Sequence, residues 1–472
     1  MRFKHVSGSE MDTKMLMRWG VHELRKSWKL WLIALGGFVL VFMAFANSTS
    51  TQSIYKVVLD AGSTGTRIHV FHFESPKFVL GSADIRESDL SLISIPLFVK
   101  VDGGLSQYAD NPSACKPGLM DLMEKARKVV PKKLWKETEV ILMATAGLRL
   151  LRSEQADALL DEARRVLGQS GFRVGTVDTI DGKLEAKFMF TMTHFAVNSD
   201  DKKKMAIVDL GGGSVQLAYK TSPDFADRHP AVAKEVETYL ERSKRSTLYL
   251  HSWLGYGLVA FRLRALEMLE SGAPHPCVPE WTPRGTKYRY GEKEVPVVPR
   301  KAGAASPVDA CMELIKSAAI GENDELNGTC KLITLNTAGS NTKCGLNGSW
   351  LGPYEPNSIS EWRLFSYIFD LAQEEGLVPS NASEGSLSAN DFLKAAEEHC
   401  QAAQSPPQKQ VDKLEWWKCI DLMYVSALLT EGFKLDPNLD LKVTKHLTYK
   451  GEIELEAAWP LGAAIAAIKN EV

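Results

Sequence analysis

The sequence predicts an α/β protein of two related lobes facing each other across a cleft, preceded by one membrane-spanning segment. Three observations carry this expectation. The chain has 472 residues, too many for one ordinary domain and suited to two. A strand, an aspartate, a small-residue turn and a second strand occur in that order twice, as VVLDAGSTGTRIHVF and AIVDLGGGSVQLAY, and such self-similarity marks a duplicated unit. Residues 30–46, LWLIALGGFVLVFMAFA, carry no charge; at 1.5 Å per residue they make a helix of roughly 25 Å.

The flanks of the apolar run set its orientation. Arg18, Arg25, Lys26 and Lys29 precede it, and no charge follows until Lys56. The basic side stays in the cytosol, so the rest of the chain is expected to be lumenal or extracellular. A cleaved signal peptide is the rival reading, since Ala44-Phe45-Ala46 resembles a cleavage site. The segment before the run is long and mixed in charge, unlike a signal n-region, which favours an uncleaved anchor. The sequons at Asn47, Asn327, Asn347 and Asn381 all fall on the predicted lumenal side, with Asn47 too near the membrane to be modified. A net charge of -2 gives no electrostatic case for nucleic acid.

The elements follow in order. Residues 55–60 and 66–73 read as strands around the turn 61–65, with Ile68, Val70 and His72 on one face of the second strand and Arg67, His69, Phe71 and Phe73 on the other. Helices are expected over 119–130, 154–168 and 184–197, and a strand over 139–143. Residues 205–210 and 214–219 are strands around Gly211, Gly212 and Gly213. Residues 272–307 are rich in Pro, Gly and charge and read as surface excursions; 401–409 reads as a loop. A helix is expected over 362–371, and a final one over 454–469, interrupted at Trp459-Pro460.

Six of the seven cysteines, Cys277, Cys311, Cys330, Cys344, Cys400 and Cys419, lie in the second half. In an oxidising compartment nearest-neighbour pairing is one of fifteen possibilities. Cys115 is left over and reads as a small buried hydrophobe. No C-x-x-C pair is present, so zinc is not expected.

The repeated turns suit phosphoryl transfer, which needs cradled phosphate oxygens, a divalent ion and an in-line nucleophile. Glycine lets the backbone approach closely and aim several N–H groups at one anion. Ser63, Thr64, Gly65 and Thr66 form one candidate cradle, and Gly211 to Gly213 with Ser214 the other. Each turn is entered by a carboxylate, Asp60 or Asp209. Ca2+ and Mg2+ take oxygen ligands and keep waters, so two such carboxylates across a cleft would hold a hydrated ion. One Asp before glycine is only a tight turn; two in the same setting favour a site. Thr145, in ATAGLR, is read as a phosphate or water ligand, or as a helix cap. Arg149 reads as a phosphate ligand or an internal ion-pair partner, with the structural role favoured.

These segments resemble the apyrase, or nucleoside triphosphate diphosphohydrolase, family. DAGSTGTR from Asp60, ATAGLRLL from Ala144, DLGGGSVQLAY from Asp209, LYLHSWLGYG from Leu248 and EAAWPLGAAI from Glu456 follow the family order, and the match looks closest to plant apyrases with an N-terminal anchor. The resemblance implies an actin-like fold of two ribonuclease-H-like lobes, with the nucleotide in the cleft. It implies lobe I over 54–180 plus 447–472 and lobe II over 181–446; the flanks of the apolar run themselves give a cytosolic tail over 1–29 and a polar stalk over 47–53. Direct attack by water is implied, with Glu185 as general base, Ser214 and Gln216 orienting the water, and Asp60 and Asp209 holding Ca2+ or Mg2+ through water. Bridges Cys277–Cys311, Cys330–Cys344 and Cys400–Cys419 are implied too. Tyr367 aligns loosely with an aromatic that stacks on the base in some relatives, and reads equally as a core residue.

The third family motif departs here. Glu185 is followed by Ala186, Phe190 stands where the family has Trp, and His194 where it has Asn. Phe188 and Phe190 read first as core. The favoured function is hydrolysis of terminal phosphate from nucleoside di- and triphosphates; the alternative is a catalytically weak nucleotide binder. A polyphosphate or guanosine-phosphate phosphatase is disfavoured by HSWLGYG and the anchor. Golgi residence, with UDP and GDP as substrates, is the expected setting, and the cell surface the alternative.

Overall fold

A computed structural model describes residues 51–62, 64–76, 85, 89–197, 204–221, 236–241, 244–303, 306–320, 345–349, 351, 359–401 and 415–470. The expected anchor, Cys330, Cys344, Ser63, most of the loop at 401–409 and the sequons at Asn47 and Asn327 lie outside them. Two units separate by their internal contacts. Residues 1–53 with 74–85 form one, of which the described part is mainly the outer ends of two strands. Residues 54–73 with 86–472 form the other, and the site lies entirely within it.

The first sheet has the order β3-β2-β1-β4-β5, with β1 Thr51–Ala61, β2 Gly65–Pro76, β3 Ser91–Asp102, β4 Glu139–Ala144 and β5 Arg173–Thr179. The second contains β6 Met205–Leu210, β7 Ser214–Thr221, β8 Val236–Glu241, β9 Lys244–Leu254, β12 Glu361–Ser366, β13 Glu384–Leu387 and β14 Leu441–Thr444, in the order β13-β14-β12-β6-β7-β9-β8. Its five inner strands, β9-β7-β6-β12-β14, repeat the plan of the first sheet. In both, the aspartate-bearing strand has its hairpin partner on one side and a parallel strand on the other, β4 beside β1 and β12 beside β6. This is a mixed α/β two-lobe fold, and the duplicated cradle is its local signature. Two small hairpins complete the strands: β10 Lys287–Tyr290 with β11 Lys293–Pro296, and β15 His446–Tyr449 with β16 Ile453–Glu456.

Strands buried on both faces read as continuous apolar runs, and β1 and β6 fit: Val57, Val58 and Leu59, like Ala206, Ile207 and Val208, are fully buried. Helices Lys116–Val129 and Ser153–Leu167 pack Leu119, Leu122, Leu159 and Leu160 into the core of the first sheet. Helix Gly182–Val197 starts two residues earlier than the sequence predicts, because Asp181 Oδ1 accepts from the N–H groups of Lys183 and Leu184 and caps it. Phe188 and Phe190 are buried, as expected.

Three expectations are corrected. Residues 362–371 are not one helix: Trp362 to Ser366 form β12, central in the second sheet, and the helix is Tyr367–Glu374. The run W-R-L-F, whose Arg363 pairs with Glu361 and Glu384, fits a buried parallel strand as well as a helix, and length did not arbitrate. Residues 272–307 are not merely surface: Cys277, Val278, Tyr288 and Val297 enter the large core. Their apolar residues are spaced among Pro and charge, so no period shows. At the C-terminus, residues 453–456 form β16, and Pro460 opens helix Pro460–Ile468 instead of interrupting one, since proline suits the first helical turn. Bridges Cys277–Cys311 and Cys400–Cys419 are formed, and Cys115 is free and buried.

Candidate active site

Register assembles the site before any side chain is considered. Asp60 ends β1 opposite Met143 of β4, and Asp209 ends β6 opposite Phe365 of β12 and Gln216 of β7. Gln216 in turn faces Ser252 of β9. The helix carrying Glu185 begins at Gly182, where a Cβ would stand 2.0 Å from Ser252 Oγ and 2.6 Å from Arg149 Nη1. Only glycine admits that approach.

Glu185, Ser214 and Gln216 meet in one hydrogen-bonded cluster. Gln216 Nε2 donates to Glu185 Oε2 at 3.0 Å, to Ser214 Oγ at 2.7 Å and to Ser252 Oγ at 3.1 Å. Arg149 Nη2 donates to Glu185 Oε2 at 2.6 Å and to Ser214 Oγ at 3.2 Å. Arg149 is thus the ion-pair partner the sequence suggests, and the carboxylate it pairs is Glu185. Both donors use Oε2, so Oε1 takes neither bond. Burial pushes the Glu185 carboxyl up to about 8, against the pull of Arg149 and with repulsion from Asp209 and Asp60 adding to it.

Asp60 and Asp209 are buried and feel each other. Burial lifts Asp60 to about 6; Arg67 opposes this, while Glu456 and Asp209 reinforce it. Asp60 Oδ2 accepts from Arg67 Nη1 at 3.4 Å, but Oδ1 has no hydrogen-bond partner among the described residues. Burial also raises Asp209, against a bond from Ser366. That bond, Ser366 Oγ to Asp209 Oδ1, is 2.6 Å, and Ser366 holds φ 60 to make it, a backbone state that is costly outside glycine. Buried carboxylates that repel one another, one with an orphaned oxygen, suit a divalent cation, which takes oxygen ligands and offsets their charge. The donor set fits such an ion.

The second cradle has a defined polarity. The carbonyls of Gly211, Gly212 and Gly213 accept from the N–H groups of Leu258, Ala260 and Gly255 at 2.9, 3.0 and 2.8 Å. In a trans peptide the following N–H points the opposite way, so those of Gly212, Gly213 and Ser214 turn away from that contact. Gly257 permits it: a Cβ there would stand 2.3 Å from Ser214 N. In the first cradle Gly62 N bonds Gly65 O at 3.0 Å and closes the turn; Thr66 is buried and Thr64 exposed. Thr145 is buried and precedes helix Ala146–Arg149, but its side chain makes no capping bond, so the capping alternative falls. Tyr367 lies within electrostatic reach of Arg67, Tyr288 and Tyr290. His194 is buried against Phe190 and 3.4 Å from Lys220 Nζ.

Ser252, Ser366, Glu456 and Tyr290 were not singled out by sequence. Ser252 sits in HSWLGYG and Glu456 opens EAAWPLG, so those motifs held a signal; Ser366 and Tyr290 had none.

Known proteins share this fold and sequence pattern. The crystal structure of nucleoside triphosphate hydrolases from Neospora caninum shares the fold, with a TM-score of 0.57 at 13% identity, covering 94% of this chain and 97% of that one. "Apyrase 1" of Arabidopsis thaliana is 30% identical over 88% of this chain and 85% of its own. "Nucleoside-triphosphatase" of Pisum sativum is 33% identical over 88% of each, and "Ectonucleoside triphosphate diphosphohydrolase 5" of Gallus gallus 30% over 90% and 89%. The profile of the GDA1/CD39 (nucleoside phosphatase) family matches residues 46–472, and the chain belongs to that family.

Proposed function

We propose that the chain releases terminal phosphate from nucleoside di- and triphosphates by direct attack of water. The observation that carries the reading is the Glu185–Ser214–Gln216 cluster, with a buried carboxylate whose Oε1 takes neither bond of its two donors, in a family whose relatives are named apyrases and triphosphatases. Glu185 Oε1 takes a proton from water as the water oxygen bonds to the terminal phosphorus and the bond to the leaving phosphate oxygen breaks. Ser214 and Gln216 orient that water, and Arg149 steadies Glu185 through Oε2. The N–H groups of Gly212, Gly213 and Ser214 and the turn at Thr64, Gly65 and Thr66 receive phosphate oxygens. Asp60 and Asp209 would hold Ca2+ or Mg2+, which when bound supplies positive charge beside the phosphates.

The same reading includes an uncleaved anchor at residues 30–46 and a lumenal body, in the Golgi. The charge flanks of that segment and the two disulfides support it. Asn381 is exposed and available for a glycan. The test is a phosphate-release panel over nucleoside tri-, di- and monophosphates and polyphosphate, with calcium or magnesium. Release from di- or triphosphates supports the proposal; release from polyphosphate alone, or from none, overturns it.

A further inference from the structure

The β10–β11 hairpin turns through Gly291 and Glu292, with Gly291 at φ 60, the positive φ a two-residue hairpin demands. Its stem is anchored: Tyr288 Oη donates to Val259 O at 2.6 Å, and the Tyr288 ring meets Trp416 edge-on at 5.8 Å. Val259 belongs to the helix Leu258–Leu266, in which the N–H groups of Leu258 and Ala260 hold the carbonyls of Gly211 and Gly212. The hairpin is therefore fixed to the element that shapes the second cradle.

The closing residue of the hairpin reaches into that cradle. A Cβ on Gly213 would stand 2.7 Å from Tyr290 Oη and 2.7 Å from Ala146 Cβ. The phenol oxygen therefore occupies the space a side chain at 213 would fill, beside the helix that carries Arg149. Tyr290 Oη is buried yet has no hydrogen-bond partner among the described residues. A buried hydroxyl without a partner costs free energy, and tyrosine hydroxyls in interiors usually find one. An apolar ring would fill this place at no such cost.

We propose that Tyr290 is a further substrate-binding group: its hydroxyl donates a hydrogen bond to an oxygen of the terminal phosphate, alongside the backbone N–H groups of the glycine turn. Burial pushes the phenol up to about 12, so it keeps its proton and acts as a donor. Hydrogen bonds to anionic phosphate are charge-assisted and stronger than neutral ones. The inference rests on the nucleotide-hydrolysis reading, and its test separates the two.

Tyr290→Phe keeps the ring and removes only the hydroxyl. Orthophosphate binding is measured by calorimetry, and steady-state hydrolysis of a nucleoside diphosphate is followed on the same two proteins. The variant is expected to bind orthophosphate about ten- to a hundredfold more weakly and to lose a similar factor in kcat/KM. Inhibition by nucleoside monophosphate should be unchanged. The melting temperature should hold or rise, because no internal bond is lost. Equal orthophosphate affinity in the two proteins overturns the proposal. So does a parallel loss of melting temperature and monophosphate affinity, which marks a packing role. If the wild type hydrolyses no nucleotide, the functional reading fails, and the orthophosphate comparison still decides Tyr290.

Discussion

Replacing Glu185 with glutamine removes the proposed base while leaving its surroundings nearly intact. Arg149 and Gln216 both donate to Oε2, at 2.6 and 3.0 Å, so an amide oxygen placed there keeps both bonds. The amide nitrogen then takes the Oε1 position, where it has no lone pair to accept a proton. General-base catalysis is worth about 10²–10⁴ in rate, so kcat should fall by that factor with KM changed only a few-fold. The proposed mechanism also predicts the pH behaviour. As general base Glu185 must be deprotonated, and burial and the neighbouring aspartates hold its carboxyl up, near 8. The wild-type rate should climb as pH rises through that value, or through a lower one when a cation neutralises Asp60 and Asp209. The variant should lose this limb. The assay is orthophosphate release at saturating nucleoside diphosphate from pH 5.5 to 9, beside nucleotide binding by calorimetry. Equal rates in the two proteins, or a raised KM at unchanged kcat, would exclude Glu185 as the general base.

Three other predictions follow from the same geometry. Asp60→Asn and Asp209→Asn keep shape but remove charge, so either should abolish turnover as chelation does; full turnover in excess chelator would remove the case for the cation. Asp60 and Glu185 both have folded values above their unfolded ones. Each therefore favours the fold below its unfolded value, near pH 4, and loses that contribution as pH rises through about 6 and about 8 respectively. At about 1.4 kcal/mol per unit, the chelated protein should melt several degrees lower at pH 8.5 than at pH 5.5, with Glu185→Gln flattening the trend; a higher melting temperature at pH 8.5 would contradict it. Reducing Cys277–Cys311 or Cys400–Cys419 should cost about 2–5 kcal/mol, seen as earlier thermal unfolding, and peptide mapping that found Cys115 bridged would contradict the pairing.

The sequence was most legible where function and local structure share one pattern. Asp60 and Asp209 announce themselves because strand, aspartate and glycine turn are contiguous, and the duplication of that device reappears as the repeated strand order of the two sheets. Glu185 carries no such signal. It lies on an apolar helix among Phe188, Met189 and Phe190, and only the family resemblance picked it out. Ser366 and Tyr290 were missed because what distinguishes them, a positive φ in one and a buried hydroxyl against Gly213 in the other, is tertiary. The misread of Trp362 to Ser366 has the same origin. A strand in the middle of a sheet is apolar on both faces and loses the alternation that betrays an edge.

The altered third motif lies on the helix that carries Glu185. Ala186 is fully buried behind Glu185, and Gly462 of the EAAWPLG motif lies so close that a Cβ would stand 2.0 Å from Phe188 O. The helix packs against the C-terminal segment, and with alanine at position 186 the Glu185–Ser214–Gln216 hydrogen bonds are formed.

In the proposed mechanism water attacks the terminal phosphate under the control of Glu185. Hydrolysis of a nucleoside diphosphate in heavy-oxygen water by the wild type and by Glu185→Gln tests both parts at once. Label is expected in the released orthophosphate and none in the nucleoside monophosphate, with a hundredfold or greater slowing in the variant. Label in the monophosphate, or orthophosphate formed equally fast by both proteins, would contradict it.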